Sequence, residues 1–254
     1  MPNVLRVGGS EFDQYLATAM GDWSTASFLS ELCPRTLTRL IAAGEVHNFS
    51  AGERLIIEGE QDKSVYLLLG SYVKVVARFA GKGEALLAIR VGGDVVGEQA
   101  VLDGSPRSAT VVACGRKPVV AVRVEAAPFE AILAEDVQAM RRLVASVSLK
   151  LRAANRKRID YTAMRAPERL ARALVELAKT CGRPTGTGGV LIHANLTQLE
   201  LGTLVGVQRA AAERALAELR KDHLIEPGRH PIIPDLAALR ARAGLDPSND
   251  GKVD

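Results

Sequence analysis

GGDVVGEQAVLDGSPRSATVVA, residues 92–113, is the segment of this chain with the most specific chemistry. Gly97 permits a close approach of the backbone, and a helical turn after it would offer unpaired N–H groups to an anion. Arg107 and Ser108 follow ten and eleven residues later, beyond a turn that contains Gly and Pro, and can complete a phosphate cradle. Glu98 only accepts hydrogen bonds, which suits a ribose hydroxyl. The segment therefore predicts a site for a nucleotide whose phosphate and ribose lie close together.

Short β-branched and aliphatic runs surround this segment between about residues 46 and 124, and glycines separate them. Strands that alternate with turns at such short intervals indicate an all-β barrel, roll or sandwich. The predicted strands are Leu55–Ile57, Val65–Leu69, Tyr72–Ala77, Ala85–Ile89, Thr110–Ala113 and Val119–Val124.

Helical patterns lie on both sides of the predicted strands. Before them, apolar residues recur at helical spacing from Phe28 to Ile41, and after them helical periodicity returns at Pro128. A heptad-like seam then predicts a helix of about 30 residues that pairs with a second copy of the chain. Packing of this helix on its own β domain is the alternative. The seam consists of Val137, Met140, Val144, Val147, Leu151 and Ala154 and continues in step to Arg158 and Tyr161.

The C-terminal part has the pattern of a helix-turn-helix. Pro167 opens a helix over residues 168–180, and Thr197 and Glu200 form a capping box at the start of the next one. That helix stops at Gly206, and a second helix runs from about Gln208 to Lys221. A turn at residues 227–228 between two short strands predicts a wing, and residues 246–254 are predicted to be disordered.

Composition narrows the class of protein. Residues 1–136 carry 13 Lys and Arg against 17 Asp and Glu, whereas residues 137–245 carry 19 Lys and Arg against 9 Asp and Glu. The excess of positive charge in the second half is suited to binding a polyanion. No apolar run is long enough for a membrane span, and the N-terminus lacks a secretory signal, so we expect a cytoplasmic protein with no membrane partner. The three cysteines are far apart, and the four histidines lack the spacing of metal ligands. We therefore expect buried free thiols, no metal site, no cofactor and no catalytic residues.

Residues 92–113 resemble the phosphate-binding cassette of cyclic-nucleotide-binding domains, whose pattern is G-E-x-A/G, a variable loop and R-S/A/T-A. With F-x-x-G-E at residues 49–53 and E-G-E at residues 58–60, the chain is similar to the cyclic AMP receptor protein and fumarate–nitrate regulator (CRP/FNR) superfamily over residues 28–242. The resemblance implies the following roles: Gly97, Gln99 and Ala100 supply backbone and shape, Glu98 binds the 2′-hydroxyl, Arg107 and Ser108 hold the cyclic phosphate, and Leu87 and Ala88 line the nucleotide pocket.

The base is the part of the ligand that this resemblance leaves open. Ala154 and Asn155 stand where the family has a Thr-Ser pair that contacts adenine. The threonine hydroxyl is lost, but the amide of Asn155 can both donate and accept. Cyclic AMP is the favoured ligand, and cyclic GMP is the alternative.

The segment LTQLELGTLVGVQRAAAERAL resembles the helix-turn-helix of the same superfamily. The resemblance implies that Thr197 contacts a DNA phosphate, that Gln208 starts the recognition helix, and that Arg209 and Arg214 read guanine. Ala210 stands where the family has a glutamate, so the contact of that carboxylate with cytosine is lost.

These observations predict an α+β protein: an N-terminal cyclic-nucleotide-binding β-roll (a double-stranded β-helix or jelly roll), a long dimerisation helix and a C-terminal winged helix-turn-helix. The expected divisions are an extension (1–24), the β-roll (25–135), the helix (136–163), the DNA-binding domain (164–245) and a tail (246–254). The function expected is that of a homodimeric, ligand-gated transcription regulator that binds double-stranded DNA, with RNA polymerase as a further partner if it activates. Two alternatives stay open: a module that regulates a partner protein, and a regulator of the same fold with a different ligand or none.

Overall fold

The computed structural model describes residues 9–79, 83–226, 228 and 230–245. The chain forms two compact units, Met1–Glu84 with Arg90–Arg152 and Ala85–Ile89 with Ala153–Asp254. The boundary at 152–153 falls inside the long helix. The predicted tail, and Pro227 of the predicted wing turn, lie outside the described residues.

Two four-stranded sheets form the centre of the N-terminal part, and their described pairings are antiparallel. The elements in chain order are α1 (Ser10–Gly21), α2 (Pro34–Ala42), β1 (Glu45–Phe49), β2 (Arg54–Ile56), β3 (Ser64–Gly70), β4 (Tyr72–Arg78), β5 (Glu84–Val91), β6 (Val95–Val96), α3 (Glu98–Asp103), β7 (Thr110–Ala113), β8 (Val119–Glu125), α4 (Ala126–Glu135) and α5 (Val137–Ala163). The strand orders are β1-β8-β3-β6 and β2-β7-β4-β5.

Strand β3 shows why this region folds as a roll. Successive side chains of a strand point to opposite faces, and both faces of β3 are covered. Val65, Leu67 and Leu69 belong to the apolar cluster that includes the helical residue Phe129. Tyr66 and Leu68 belong to a second cluster with residues of β2, β4 and β7. The continuous apolar run of this strand therefore reflects burial on both sides.

The six predicted strands are confirmed, each to within two residues, and the predicted fold class is confirmed with them. The structure adds β1 and β6 as separate strands and α1 in the predicted extension, where Phe12 is buried. The helical pattern from Phe28 to Ile41 is only partly a helix, because α2 begins at Pro34. Cys33 before it is extended, as is usual for a residue that precedes proline. Cys33 is also exposed, so the expectation of three buried thiols is wrong for this cysteine.

Helix α5 is 27 residues long and follows α4 after a single extended residue, Asp136. The Asp136 carboxylate accepts from the backbone N–H groups of Gln138 and Ala139 at 3.0 and 3.1 Å and so caps α5. The side chains of Val137, Val144 and Leu151 are 68, 55 and 61 % exposed. Within the first unit this helix therefore presents part of the predicted seam to solvent.

The second unit contains the predicted helix-turn-helix. Its elements after α5 are α6 (Ala166–Cys181), β9 (Gly182–Pro184), β10 (Val190–Ile192), α7 (Gln198–Leu204), α8 (Arg209–Lys221), β11 (Ile232–Ile233) and α9 (Leu236–Arg242). The three strands form an antiparallel sheet in the order β11-β10-β9, and Glu226 bridges to Ile232. The Gly- and Pro-containing stretch CGRPTGTGG, residues 181–189, contributes β9 after the end of α6.

Candidate functional site

Gly97 is the backbone pivot of the cassette. It precedes α3 with a φ of 87°, in the left-handed region that favours glycine. A Cβ at this position would lie 2.7 Å from Arg107 Nη1 and 2.9 Å from the Ser64 carbonyl oxygen. Glycine is therefore required here both by the backbone conformation and by the close approach of Arg107.

Arg107 is buried, with 3 % of its surface exposed, and its guanidinium is held by several acceptors. Nη1 donates to the Gly97 carbonyl at 2.9 Å. Nη2 donates to the Ser64 carbonyl at 2.6 Å and contacts the Ser64 hydroxyl at 3.2 Å. It also forms an ion pair with Asp62 at 2.5 Å. The ends of the cassette therefore meet as the sequence predicts, but Arg107 already has an anionic partner within the chain.

Asp62 links two arginines, because its other carboxylate oxygen lies 2.9 Å from Arg123 Nη2. Arg123 in turn pairs with Glu125 at 2.5 Å. Partial burial acts to raise the pKa of Asp62. The hydrogen bond from Ser64 and the bond and charge of Arg107 outweigh this effect and lower the pKa to about 2. Asp62 is therefore ionised at neutral pH.

Glu98 is the second buried charge of the cassette, with 3 % of its surface exposed. Its Oε1 lies 2.8 Å from the Nζ atom of Lys150 on α5, and the same ammonium donates to the Val95 carbonyl at 2.8 Å. Sequence reasoning did not identify Lys150 as part of the cassette. A buried carboxylate needs a cation, and that need was the available signal for this pair.

Two further contacts define the shape of the cassette. The hydroxyl of Ser108 donates to Gln99 Oε1 at 3.0 Å, so that two predicted ligand residues bond to each other. Lys63 donates to the Gly104 carbonyl and, at 3.3 Å, to the Ala100 carbonyl, and thereby closes the C-terminal end of α3. Gln99 and Ser108 are exposed, whereas Ala100 is buried.

The remaining predicted ligand residues, Leu87, Ala88, Ala154 and Asn155, belong to the second unit. Leu87, Ala154 and Asn155 are exposed there, and Ala88 is partly buried. Their contact with a nucleotide base stays a prediction.

The helix-turn-helix has the predicted caps. The Thr197 hydroxyl accepts from the Glu200 backbone N–H at 3.1 Å, and the Glu200 carboxylate accepts from the Thr197 N–H at 2.8 Å. Gly206, with a φ of 69°, makes the turn, and Gln208 caps α8. At the start of α6 the Glu168 carboxylate accepts from the Arg165 backbone N–H at 2.8 Å and from the Arg165 guanidinium, an arrangement that was not predicted.

The first turns of α8 are open to solvent. Gln208, Arg209, Ala210 and Arg214 are all exposed. Arg209 Nε pairs with Glu213 one helical turn away, at 2.8 Å. Arg209, Arg214 and the carboxylate of Glu213 are therefore exposed on this helix, whereas Ala210 has no polar side chain.

Tyr161 near the end of α5 packs against the same helix-turn-helix. Its hydroxyl donates to the Leu204 carbonyl at 3.1 Å, and a Cβ on Gly206 would lie 3.1 Å from its ring. The guanidinium carbon of Arg169 lies 5.5 Å from the centroid of the Tyr161 ring, in a cation–π contact. Tyr161 therefore has contacts inside the second unit, but it is 39 % exposed, and its place in the seam stays a prediction.

Within the described part of the chain, no group of three or more His, Cys, Asp or Glu is placed to hold a metal ion. The same residues contain no helix that is long and apolar enough to cross a membrane.

Comparison with known proteins identifies both halves. Residues 46–136 match the cyclic nucleotide-binding domain model, and residues 168–242 match the Crp-like helix-turn-helix domain model. The chain belongs to the CRP/FNR superfamily. It is 27 % identical over 211 residues to the CRP-like cAMP-activated global transcriptional regulator of Mycobacterium tuberculosis, covering 83 % of this chain and 93 % of that protein. It is 26 % identical to the cAMP-activated global transcriptional regulator CRP of Escherichia coli, covering 75 % of this chain and 89 % of that one.

Solved structures of the superfamily share the fold. The c-di-GMP-responsive regulator CLP of Xanthomonas campestris superposes with a TM-score of 0.70 at 19 % identity, over 80 % of this chain and all of that one. A CRP/FNR-family regulator of Thermus thermophilus superposes with a TM-score of 0.67 at 24 % identity, over 79 % of this chain and 98 % of that one. The two curated relatives are transcriptional regulators, and this chain has a Crp-like helix-turn-helix domain.

Proposed function

We propose that this protein is a homodimeric transcription regulator that binds a cyclic nucleotide in the β-roll and an inverted-repeat operator through α8. Cyclic AMP is the favoured ligand over cyclic GMP. The observation that carries the proposal is the pair of buried charges, Glu98 and Arg107, at the two ends of one cassette around Gly97. A carboxylate for ribose and a guanidinium for phosphate match the two groups of a cyclic nucleotide.

The DNA half of the proposal is supported by the exposed start of α8. In helix-turn-helix proteins the recognition helix presents its first turns to base edges, and helix caps contact phosphates. Arg209 and Arg214 are available for guanine, and Thr197 is available for the backbone. Because the proposed target is DNA, we expect the protein to lie in the cytoplasm. RNA polymerase becomes a further partner if the protein activates transcription.

Dimerisation is supported by the exposed apolar side chains of α5. A row of apolar residues at heptad spacing on a long helix is typical of a coiled-coil interface. Val137, Val144 and Leu151 form such a row, and no described residue of the first unit buries them.

One observation favours a second candidate, a regulator of the same fold that works without a cyclic nucleotide. The Arg107 guanidinium already has a carboxylate partner in Asp62. The two candidates differ in whether an added phosphate can share that guanidinium.

Calorimetric titration of the full chain with cyclic AMP and cyclic GMP in parallel tests the proposal. Arg107→Ala should weaken binding by about 2 kcal/mol or more, because a bound anion loses its charged partner. Arg116→Ala, at an exposed arginine outside the cassette, is the matched control and should bind like wild type. If neither nucleotide binds the wild-type protein, or if Arg107→Ala binds equally well, the ligand assignment is wrong.

A second measurement concerns regulation. The affinity for operator DNA, measured by fluorescence anisotropy, should differ with and without saturating nucleotide. Linkage requires that DNA change nucleotide affinity by the same factor. Equal DNA affinity in both states would leave a constitutive DNA-binding protein.

A further inference from the structure

Asp62 lies in the loop between β2 and β3, outside every motif that the sequence pointed to. Its carboxylate nevertheless meets the one cassette residue that offers a full positive charge, Arg107, at 2.5 Å. The Arg107 side chain is 2 % exposed and that of Asp62 is 38 % exposed, so the guanidinium is shielded from water whereas the carboxylate is partly solvated. Shielding strengthens the interaction of the two charges relative to a surface pair.

The charges around Asp62 alternate and cancel. Three ion pairs connect the four residues in the order Arg107–Asp62–Arg123–Glu125. Two of these residues are positive and two are negative. An anion that approaches Arg107 therefore meets a cluster with no net charge. It also meets a carboxylate within a few ångströms of the guanidinium that would bind it.

We propose that Asp62 is an internal counter-anion that determines which phosphates the cassette accepts: it lowers the affinity for all of them and favours singly charged cyclic phosphodiesters over doubly charged phosphomonoesters. This inference rests on the proposed function, because it concerns the same ligand site.

The selectivity follows from Coulomb's law. The repulsion between Asp62 and a ligand is proportional to the ligand's charge. A cyclic phosphodiester carries one negative charge, whereas a phosphomonoester carries nearly two at neutral pH. At a separation of several ångströms in a partly solvated site, one unit of ligand charge corresponds to roughly a threefold to tenfold loss of affinity. The penalty for a monoester is then roughly the square of that factor.

The remaining contacts of Arg107 show that Asp62 is not needed to orient it. The Gly97 and Ser64 carbonyls hold the guanidinium independently of Asp62, whereas the Ser64 hydroxyl near the guanidinium itself donates to Asp62. What Asp62 adds is its charge. Removing that charge should therefore strengthen phosphate binding, whereas removing an orienting residue would weaken it.

The test compares cyclic AMP with 5′-AMP, which differ at the phosphate and share base and sugar. Full-length wild type and Asp62→Asn, which keeps an acceptor oxygen and removes the charge, are titrated calorimetrically with both nucleotides. The variant should bind cyclic AMP roughly threefold to tenfold more tightly and should gain a larger factor for 5′-AMP. Asp62→Glu, which retains the charge, should stay near wild type. Glu130→Gln, at an exposed carboxylate of α4 outside the cassette, is the control and should bind both nucleotides like wild type.

The outcomes separate this inference from the proposed function. Binding that is unchanged or weaker in Asp62→Asn, or an equal gain for both nucleotides, overturns the role of Asp62 and leaves the cyclic-nucleotide site intact. Binding by Asp62→Asn alone supports the repulsion by Asp62 but overturns the proposed function, because the wild-type protein then binds neither nucleotide. No binding by any of the proteins overturns both. If Asp62→Asn lacks the circular dichroism of the folded protein, Asp62→Ser is measured instead, with the same expectations.

Discussion

The Glu98 carboxylate and the Lys150 ammonium lie 2.8 Å apart, although 52 residues separate them in the chain. Their side chains are 5 and 16 % exposed, so neither charge is well solvated. Lys150 thus connects α5 to the cassette within the first unit, at the carboxylate proposed to bind a ribose hydroxyl.

Lys150→Met should lower the free energy of unfolding by about 2 kcal/mol or more, because it leaves a buried carboxylate without its cation. Urea denaturation followed by circular dichroism measures this change. Lys150→Arg retains the charge and should be milder, and Lys117→Met removes an exposed lysine and should have little effect. A Lys150→Met protein as stable as wild type would show that Glu98 does not depend on this partner.

Replacing Val144 and Leu151 together with Asp should give monomers in analytical ultracentrifugation, because it places charge in the proposed seam. The control pair, Ala145→Asp with Arg152→Asp, changes the next residue along the helix in each case. Both control positions are exposed, and they point away from the seam by about 100°. If the seam variant remains dimeric while folded, another surface joins the subunits.

The operator should be an inverted repeat with half-sites about 34 Å apart, as one recognition helix per subunit in successive major grooves requires. Arg209→Ala should cost roughly 1–3 kcal/mol and flatten the preference at its guanine, whereas Thr197→Ala should weaken all sequences alike. Selection from random DNA gives both profiles.

The base pair that faces Ala210 is a separate prediction for the same selection. Discrimination there should be small in wild type and should increase in Ala210→Glu, which restores an acceptor for cytosine. Strong wild-type preference at that pair would assign the reading to another residue. Glu213 is the foremost candidate, since it stands one turn from Arg209 on the exposed part of α8.

Acid should remove the stabilising effect of Asp62. Its pKa in the folded protein, about 2, lies below the ordinary value of 3.8, so the contribution is complete above pH 4 and is lost as the pH falls towards 2. Asp62→Asn should therefore be less stable than wild type at pH 5, and the difference in urea midpoint should shrink between pH 4 and pH 3. A difference that is independent of pH over this range would mean that the charge of Asp62 contributes nothing to stability.

The sequence was informative wherever one local pattern determines one local structure. A continuous apolar run located β3, a Thr-x-x-Glu capping box located the start of α7, and a glycine before an acidic residue located the turn at Gly97. The sequence also assigned Gly97 and Arg107 to one phosphate cradle, and in the structure the Arg107 guanidinium donates to the Gly97 carbonyl.

The long-range ion pairs could not be predicted in the same way. Asp62 is 45 residues from Arg107 and Lys150 is 52 residues from Glu98, and no periodicity links positions so far apart. Each pair depends on how strands and helices fold back on one another. The sequence therefore predicted which residues carry the cassette's charges, but not the partners that balance them.

The packing of Tyr161 under the turn at Gly206 has a consequence for where the DNA-binding domain begins. Together with the Asp160–Arg172 ion pair at 2.7 Å, it fastens the last turns of α5 to α6 and α7. A protease cut at residues 164–166 would therefore leave two pieces that stay associated. The smallest fragment that folds and binds DNA by itself should start near Ala153 and not at Pro167, because the shorter piece would lose the aromatic ring that supports its own helix-turn-helix.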